Sequence, residues 1–329
     1  MILAGDVGGT KTRLALFAPN GSPRDALHEQ RYPSREHGSL DELVLAFLAT
    51  TRARPTAAAF GIAGPVVRNR TETTNLPWTI DGDQLGERIG APTRLLNDLE
   101  ATGWGVGVLA GSELLTLQAG HPAPGNRALI AAGTGLGEGM LVWNGKQHRP
   151  CASEGGHCDF GPRDQVEDEL MHWLRAKYHR VSYERILSGP GLADLYRFFT
   201  DTGRGHEPAD VGQRFASAPD PAVVVTETGL DGSCERARMV LDRFALVYGA
   251  EAGNLALKAL SVDGMYVGGG IAPRIRPVLE SGGFAAAFRD KGRLRPVLEQ
   301  IPLHLILDDR AALWGAAAYA YAHRAALAA

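Results

Sequence analysis

Two stretches of this chain, about 125 residues apart, share one layout: an apolar run, a glycine-rich turn with a threonine, and a second apolar run. The first is Ile2-Leu3-Ala4-Gly5, then Asp6-Val7-Gly8-Gly9-Thr10-Lys11, then Arg13-Leu14-Ala15-Leu16-Phe17. The second is Ala128-Leu129-Ile130-Ala131-Ala132, then Gly133-Thr134-Gly135-Leu136-Gly137, then Met140-Leu141-Val142-Trp143. Short apolar runs bounded by glycine read as strands. A third, Met265-Tyr266-Val267, ends in Gly268-Gly269-Gly270. Backbone N–H groups in tight glycine turns converge on anions, and a threonine hydroxyl adds a donor. Glycine pairs also make plain hairpins, so each turn alone is ambiguous. Three of them, each directly after an apolar strand, read together as phosphate cradles for a nucleotide lying between two related domains.

Neither hairpin turn fits a standard fingerprint. Thr10 stands where a P-loop has glycine before its lysine, and the third glycine of a dinucleotide fingerprint falls at Glu138. Asp6, at a strand end, suits Mg²⁺ held through water, because that ion keeps most of its hydration shell.

A second constellation points to a hydroxylated substrate. Leu95-Leu96-Asn97-Asp98-Leu99-Glu100-Ala101 ends an apolar strand in an amide and a carboxylate before a helix-like segment. Open α/β sheets bind their ligands at such strand ends, and Asp98 there reads as a base for a hydroxyl proton. Ser153-Glu154-Gly155-Gly156-His157 places a carboxylate and an imidazole across a glycine pair. A lone histidine is usually structural, and Glu184 alone reads as a solvated helix face. As a set, Asn97, Asp98, Glu154, His157 and Glu184 offer the donors and acceptors that neighbouring sugar hydroxyls need once water is excluded. After His157-Cys158 no further cysteine follows closely, which disfavours structural zinc.

Composition narrows the class. With 329 residues, 44% hydrophobic and 22% charged, the chain has room for two soluble domains. A net charge of −3 without a basic block argues against nucleic acid as a partner. No apolar stretch reaches the ~20 residues of a membrane helix, and the N-terminus lacks a signal-peptide pattern. Three cysteines with no Cys-x-x-Cys spacing fit reduced thiols in a cytoplasm.

Helical spacing predicts helices from Leu40 to Leu48 (capped by Ser39 or Asp41), from Trp78 through Ile89, over Gln165–Tyr178, from about Glu235 to Leu260, and from Asp309 onward. Ser182 to Gly191 reads as a short helix broken by glycine, followed by another through Phe199. Strands are expected at Ala57–Ile62 and Leu303–Leu307, while residues 201–233 carry little pattern. Gly103, Gly105 and Gly107 follow Asp98 in a helical register, so that helix either packs very closely on something or is irregular.

The blocks GDVGGTKTRLALF, LLNDLEA, AAGTGLGEGML, SEGGHCDFGP, RVSYERILSGPGL, GGGIAPRI and FRDKGR, in this order over nearly the whole length, resemble the bacterial glucokinases. These form the zinc-free glucokinase group of the actin-like sugar-kinase superfamily. The resemblance implies an α/β, two-domain actin-like (ribonuclease H-like) fold with an interdomain cleft. Residues 1–108 plus 309–329 would form the small domain and residues 109–308 the large one. It implies that Asp98 is the catalytic base and that Asn97, Glu154, His157 and Glu184 bind glucose or a similar hexose. Asp6, Gly8, Gly9, Thr10, Lys11, Gly133, Thr134, Gly135, Gly137, Gly268, Gly269 and Gly270 would hold ATP with Mg²⁺. It further implies a cytoplasmic homodimer. Two residues depart from the pattern: Glu138, a carboxylate that must point away from phosphates or help hold Mg²⁺, and Lys11, an added cation for them. Sugar-driven closure would keep water from the transferred phosphoryl group. The rival readings are a kinase for another hexose (mannose, fructose or an N-acetylated sugar) and a non-catalytic sugar sensor. Intact Asp98, and no helix-turn-helix ahead of the first strand, speak against the sensor.

Overall fold

The computed structural model describes residues 1–73 and 76–327. The chain forms two compact units, one of Met1–Glu113, Asn144–Ala152 and Asp308–Ala329, the other of Leu114–Trp143 and Ser153–Leu307. The first boundary lies at 113 rather than 108, and Asn144–Ala152, with most of strand β11 (His148–Ser153), groups with the first unit.

In the first unit, β1 (Ile2–Val7), β2 (Lys11–Phe17), β3 (Ala26–Pro33), β4 (Ala57–Ile62) and β7 (Thr93–Asn97) form a sheet in the order β3-β2-β1-β4-β7. β1 is antiparallel to β2 and parallel to β4, and β4 is parallel to β7. Alternate residues of these strands face opposite sides. Leu3, Val7, Phe60 and Leu95 join Leu43 and Phe47 of α1 (Leu40–Thr51) in one core. Ser39 caps α1, its side chain accepting from Glu42 N–H.

The opposite face is alanine-rich. Ala4, Ala15, Ala57 and Ala59 pack against Leu313, Ala316, Ala317 and Ala320 of α12 (Ala311–Leu327). Small residues on both surfaces let backbones approach closely. The glycines after Asp98 have the same cause. α3 (Asp98–Val106) is a regular helix, and a Cβ on Gly105 would overlap the carbonyl of Ala311 on α12. Where one helix from Trp78 was expected, a short strand pair intervenes, β5 (Arg70–Glu72) with β6 (Thr79–Asp81). α2 (Gly82–Ile89) follows, with Asp81 as its cap.

The second unit repeats the pattern. Its sheet contains the run β10-β9-β12-β13-β8, of Leu136–Trp143, Arg127–Ala132, Gly264–Gly268, Leu303–Ile306 and Leu114–Gln118. An antiparallel hairpin (β9, β10) is followed by two strands parallel to its first member, as in the first sheet. α4 (Gln165–Tyr178), α5 (Gly189–Asp201) and α8 (Glu235–Ala259) supply its main core, with Tyr196, Phe244 and Tyr248 fully buried. The featureless stretch 201–233 contains α6 (Ala209–Ser217) and α7 (Pro221–Leu230), and α9 (Arg276–Glu280), α10 (Gly283–Arg289) and α11 (Arg295–Gln300) precede β13.

Candidate active-site residues

In the first unit, parallel β4 and β7 end beside each other, Ile62 opposite Asn97. Asn97 does two things there. Its side-chain oxygen accepts from Leu99 N–H at 2.9 Å, capping α3, and its amide donates to the Gly64 carbonyl at 3.0 Å. That second bond fixes the Ala63-Gly64-Pro65 loop after β4. Asp98 is the first residue of α3, exposed, with its carboxylate accepting from Leu99 N–H at 2.8 Å. Negative charge is favoured at a helix N-terminus.

Asp6 lies in β1, half-buried, paired across the hairpin with Arg13. Burial pushes its carboxyl up to about 7 against the pull of Arg13, and the Asp98 and Asp309 carboxylates push the same way. Arg13 is itself buried and donates to Asp309 at 2.8 Å. Asp309, which no sequence motif flagged, thus shares the field of Asp6. In the hairpin loop Gly8 N–H donates to the Lys11 carbonyl at 3.0 Å, and Ser34 ties the loop down by donating to Gly8 carbonyl at 2.8 Å. Thr10 and Lys11 are exposed at its tip. The donor set suits Mg²⁺ bound through water. One carboxylate oxygen ligand in a negative field is what a well-hydrated hard cation takes, and Asp6 must ionise to serve.

In the second unit, β9 and β12 are parallel neighbours, so their glycine turns emerge together. Ile271 N–H donates to the Ala132 carbonyl at 3.1 Å. Gly269 has φ +83°, and a Cβ there would run into the Ala132 backbone, so only glycine lets the two turns touch. Gly137 and Gly268 lie inside strands, both in register with Ala131. Gly133 N–H donates to Gly135 carbonyl at 2.8 Å, and Gly133 carbonyl accepts from Gly189 at the start of α5 at 2.9 Å. Thr134 and Gly270 belong to the same pair of turns, both of which open at the C-terminal ends of parallel strands.

The acidic and imidazole residues of this unit also assemble. Glu184 accepts from Leu136 N–H at 3.0 Å, joining its short helical turn Tyr183–Arg185 to the glycine turn. The His157 ring stands between two carboxylates, 3.9 Å from Glu184 and 3.9 Å from Glu154. Their side chains are 55%, 29% and 80% exposed for His157, Glu184 and Glu154, open enough to meet a ligand. Glu138 is not among them. It is 1% exposed, with its carboxyl against the backbone of Gly155.

The family model for glucokinases matches residues 3–323. The chain belongs to the glucokinase family. It is a kinase, and the reaction that defines the family is phosphorylation of glucose. A glucokinase from Trichormus variabilis is 40% identical over 334 aligned positions, covering 96% of this chain and 98% of that one. Among solved structures, a glucokinase from an Antarctic psychrotroph superposes with a TM-score of 0.83 at 28% identity, covering 97% of this chain and 98% of that one. A glucokinase of the ROK family from Streptomyces griseus, solved with glucose and AMPPNP, has a TM-score of 0.65 at 20% identity, covering 96% of this chain and 97% of that one. At that identity it speaks for the fold, the actin-like sugar-kinase architecture.

Proposed function

We propose that this glucokinase-family chain transfers the terminal phosphoryl group of ATP to the 6-hydroxyl of glucose, with Asp98 as the base. One observation carries the assignment of the base. Asp98 presents an exposed carboxylate at the first position of a helix, at the end of a buried parallel strand, with its neighbour Asn97 fixing both the helix start and the loop beside it. The phosphoryl transition state is loose, so the protein's share is positioning and charge stabilisation. Asp98 orients the hydroxyl and accepts its proton as the new P–O bond forms, a contribution of about 10²–10⁴ in rate.

Asn97, Glu154, His157 and Glu184 would hold the other hydroxyls. The carboxylates accept from sugar O–H groups, and the imidazole between them both accepts and donates. The amides of the Gly8–Thr10, Gly133–Gly137 and Gly268–Gly270 turns, with Thr134 and Lys11, would bind the phosphates. Asp6 would hold Mg²⁺ through water, and the ion when bound offsets phosphate charge. The glucose and AMPPNP held by the Streptomyces protein are consistent with this pair of substrates. The same reading makes the chain a cytoplasmic homodimer supplying glucose 6-phosphate to glycolysis, with sedimentation as the check on the dimer.

A coupled ADP-release assay with ATP and a panel of hexoses tests the assignment. ADP formation that depends on glucose, and less on mannose, fructose or N-acetylglucosamine, is expected. ADP formed equally with and without every sugar would contradict it.

A further inference from the structure

Glu138 and Glu251 form a buried carboxyl pair that the chemistry above does not use. Glu138, on β10, is 1% exposed, and Glu251, on α8, is 0% exposed. The two carboxyls lie close enough that the charge on Glu251 opposes ionisation of Glu138. One oxygen of each has no hydrogen-bond partner. Two like charges at that burial are costly, so at neutral pH Glu138 keeps its proton.

Groups from several elements face the pair. From α8, Asn254 donates to Glu251 at 2.7 Å, the Lys258 ammonium stands 3.6 Å from it, and Tyr248 lies near Glu138. The Tyr183 hydroxyl, from the turn that carries Glu184, accepts from Asn254 at 3.2 Å and lies within the field of Glu251. Lys291 donates to Asn254 at 2.6 Å and feels Glu251 and Arg163. Gly155 also lies against Glu138. A Cβ there would overlap a Glu138 carboxyl oxygen, so the backbone between Glu154 and His157 rests directly on that group. Ser153 reinforces the seat, donating to the Glu138 carbonyl at 3.0 Å and accepting from Gly155 N–H at 3.2 Å.

We propose that the Glu138–Glu251 pair is a positioning device, a floor under Gly155 that fixes how Glu154 and His157 meet the sugar. It rests on the reading that those two residues bind glucose. Glu138 is therefore a positioning residue, and its presence directly after the glycine turn is explained without any contact with phosphate. Burial first, then the Glu251 carboxylate, pushes the Glu138 carboxyl up to about 8, with Lys258 pulling the other way. When it ionises, the floor carries two like charges, and the loop above must shift.

The test compares the KM for glucose and kcat of wild type and Glu138→Gln across pH, with circular dichroism to confirm folding. The amide of glutamine keeps the shape of the carboxyl but cannot ionise. In wild type, KM for glucose rises about tenfold between about pH 7.5 and about pH 9.5 while kcat changes little. In Glu138→Gln the rise is absent. Burial holds the Tyr183 hydroxyl protonated over this range, and any contribution from Lys291 is common to both profiles and cancels in their difference. Parallel profiles, or no rise in wild type, overturn the proposal. Should Glu138→Gln not fold, Glu251→Gln decides. Without the neighbouring charge the rise moves to lower pH, and an unmoved rise overturns the proposal. Hydrogen exchange over residues 153–157, corrected for intrinsic pH dependence, reads the floor without sugar. It speeds up above about pH 8 in wild type but not in Glu138→Gln, and equal exchange in both overturns the proposal. If wild type showed no response to glucose at any pH, the sugar assignment would fail while the exchange result still judged the floor.

Discussion

Gly315 on α12 and Ala101 on α3 touch backbone to backbone, so closely that a Cβ on Gly315 would overlap the Ala101 carbonyl oxygen. Gly105 meets Ala311 in the same way one turn further on. Trp104 closes the contact edge-on against Tyr319 at 5.6 Å and His323 at 5.3 Å. The helix that presents Asp98 is thus held by the last helix of the chain.

Gly315→Ala and Gly105→Ala should each destabilise the first unit, because backbone on both sides leaves no flexible side chain to yield. Overpacking of this kind costs about 1–3 kcal/mol. Calorimetry should show a lower Tm, and kcat should fall as Asp98 is displaced. Gly90→Ala, where nothing lies within 4 Å, is the contrast. Its cost should come only from the left-handed φ of +67° at a helix end.

Asn97 separates capping from loop support. Asn97→Ala loses the cap to Leu99, worth about 0.5–2 kcal/mol, as well as the bond to Gly64. Asn97→Ser keeps a capping oxygen but is too short to reach Gly64. Tm should fall in the alanine variant and recover in the serine variant, while KM for glucose stays raised in both. Recovery of KM with serine would show that the Gly64 bond has no role in substrate binding.

Strands, glycine turns and most helices of this fold were legible because alternation and 3.6-residue spacing survive wherever one face is buried. Gln165–Tyr178 and Ala57–Ile62 have the expected limits. The short strand Thr79–Asp81 was not legible, since its partner Arg70–Glu72 has no apolar pattern and pairing alone makes it a strand. Residues 201–233 hid two helices behind a polar, proline-broken composition. The glycines after Asp98 required knowledge of what lies against them, which only α12 supplies. In the candidate site, Glu154, His157 and Glu184 could be listed from the sequence, but the row they form could not. Asp309 and Glu251 were invisible, because a carboxylate far along the chain gives no sign of the partner it meets.

Asp6 makes a pH prediction. Its folded carboxyl titrates at about 7 against an ordinary value of 3.8, so the folded protein holds a proton that the unfolded chain releases. Stability should fall as pH rises from the ordinary value toward about 7 and level off above it. Asp6→Asn should lack this decline. A Mg²⁺ complex needs the ionised carboxyl, so affinity for Mg²⁺·ATP should strengthen as pH rises through about 7 and become weak and nearly pH-independent in Asp6→Asn. Isothermal titration in two buffers of different ionisation enthalpy would show the released proton.

The central assignment is Asp98 as proton acceptor. The most direct measurement is kcat for Asp98→Asn, alongside its glucose affinity by tryptophan fluorescence. The asparagine keeps the shape and the helix start but cannot take the proton. Turnover should drop by about 10²–10⁴ with glucose affinity within a few-fold of wild type. Turnover close to wild type would contradict the account.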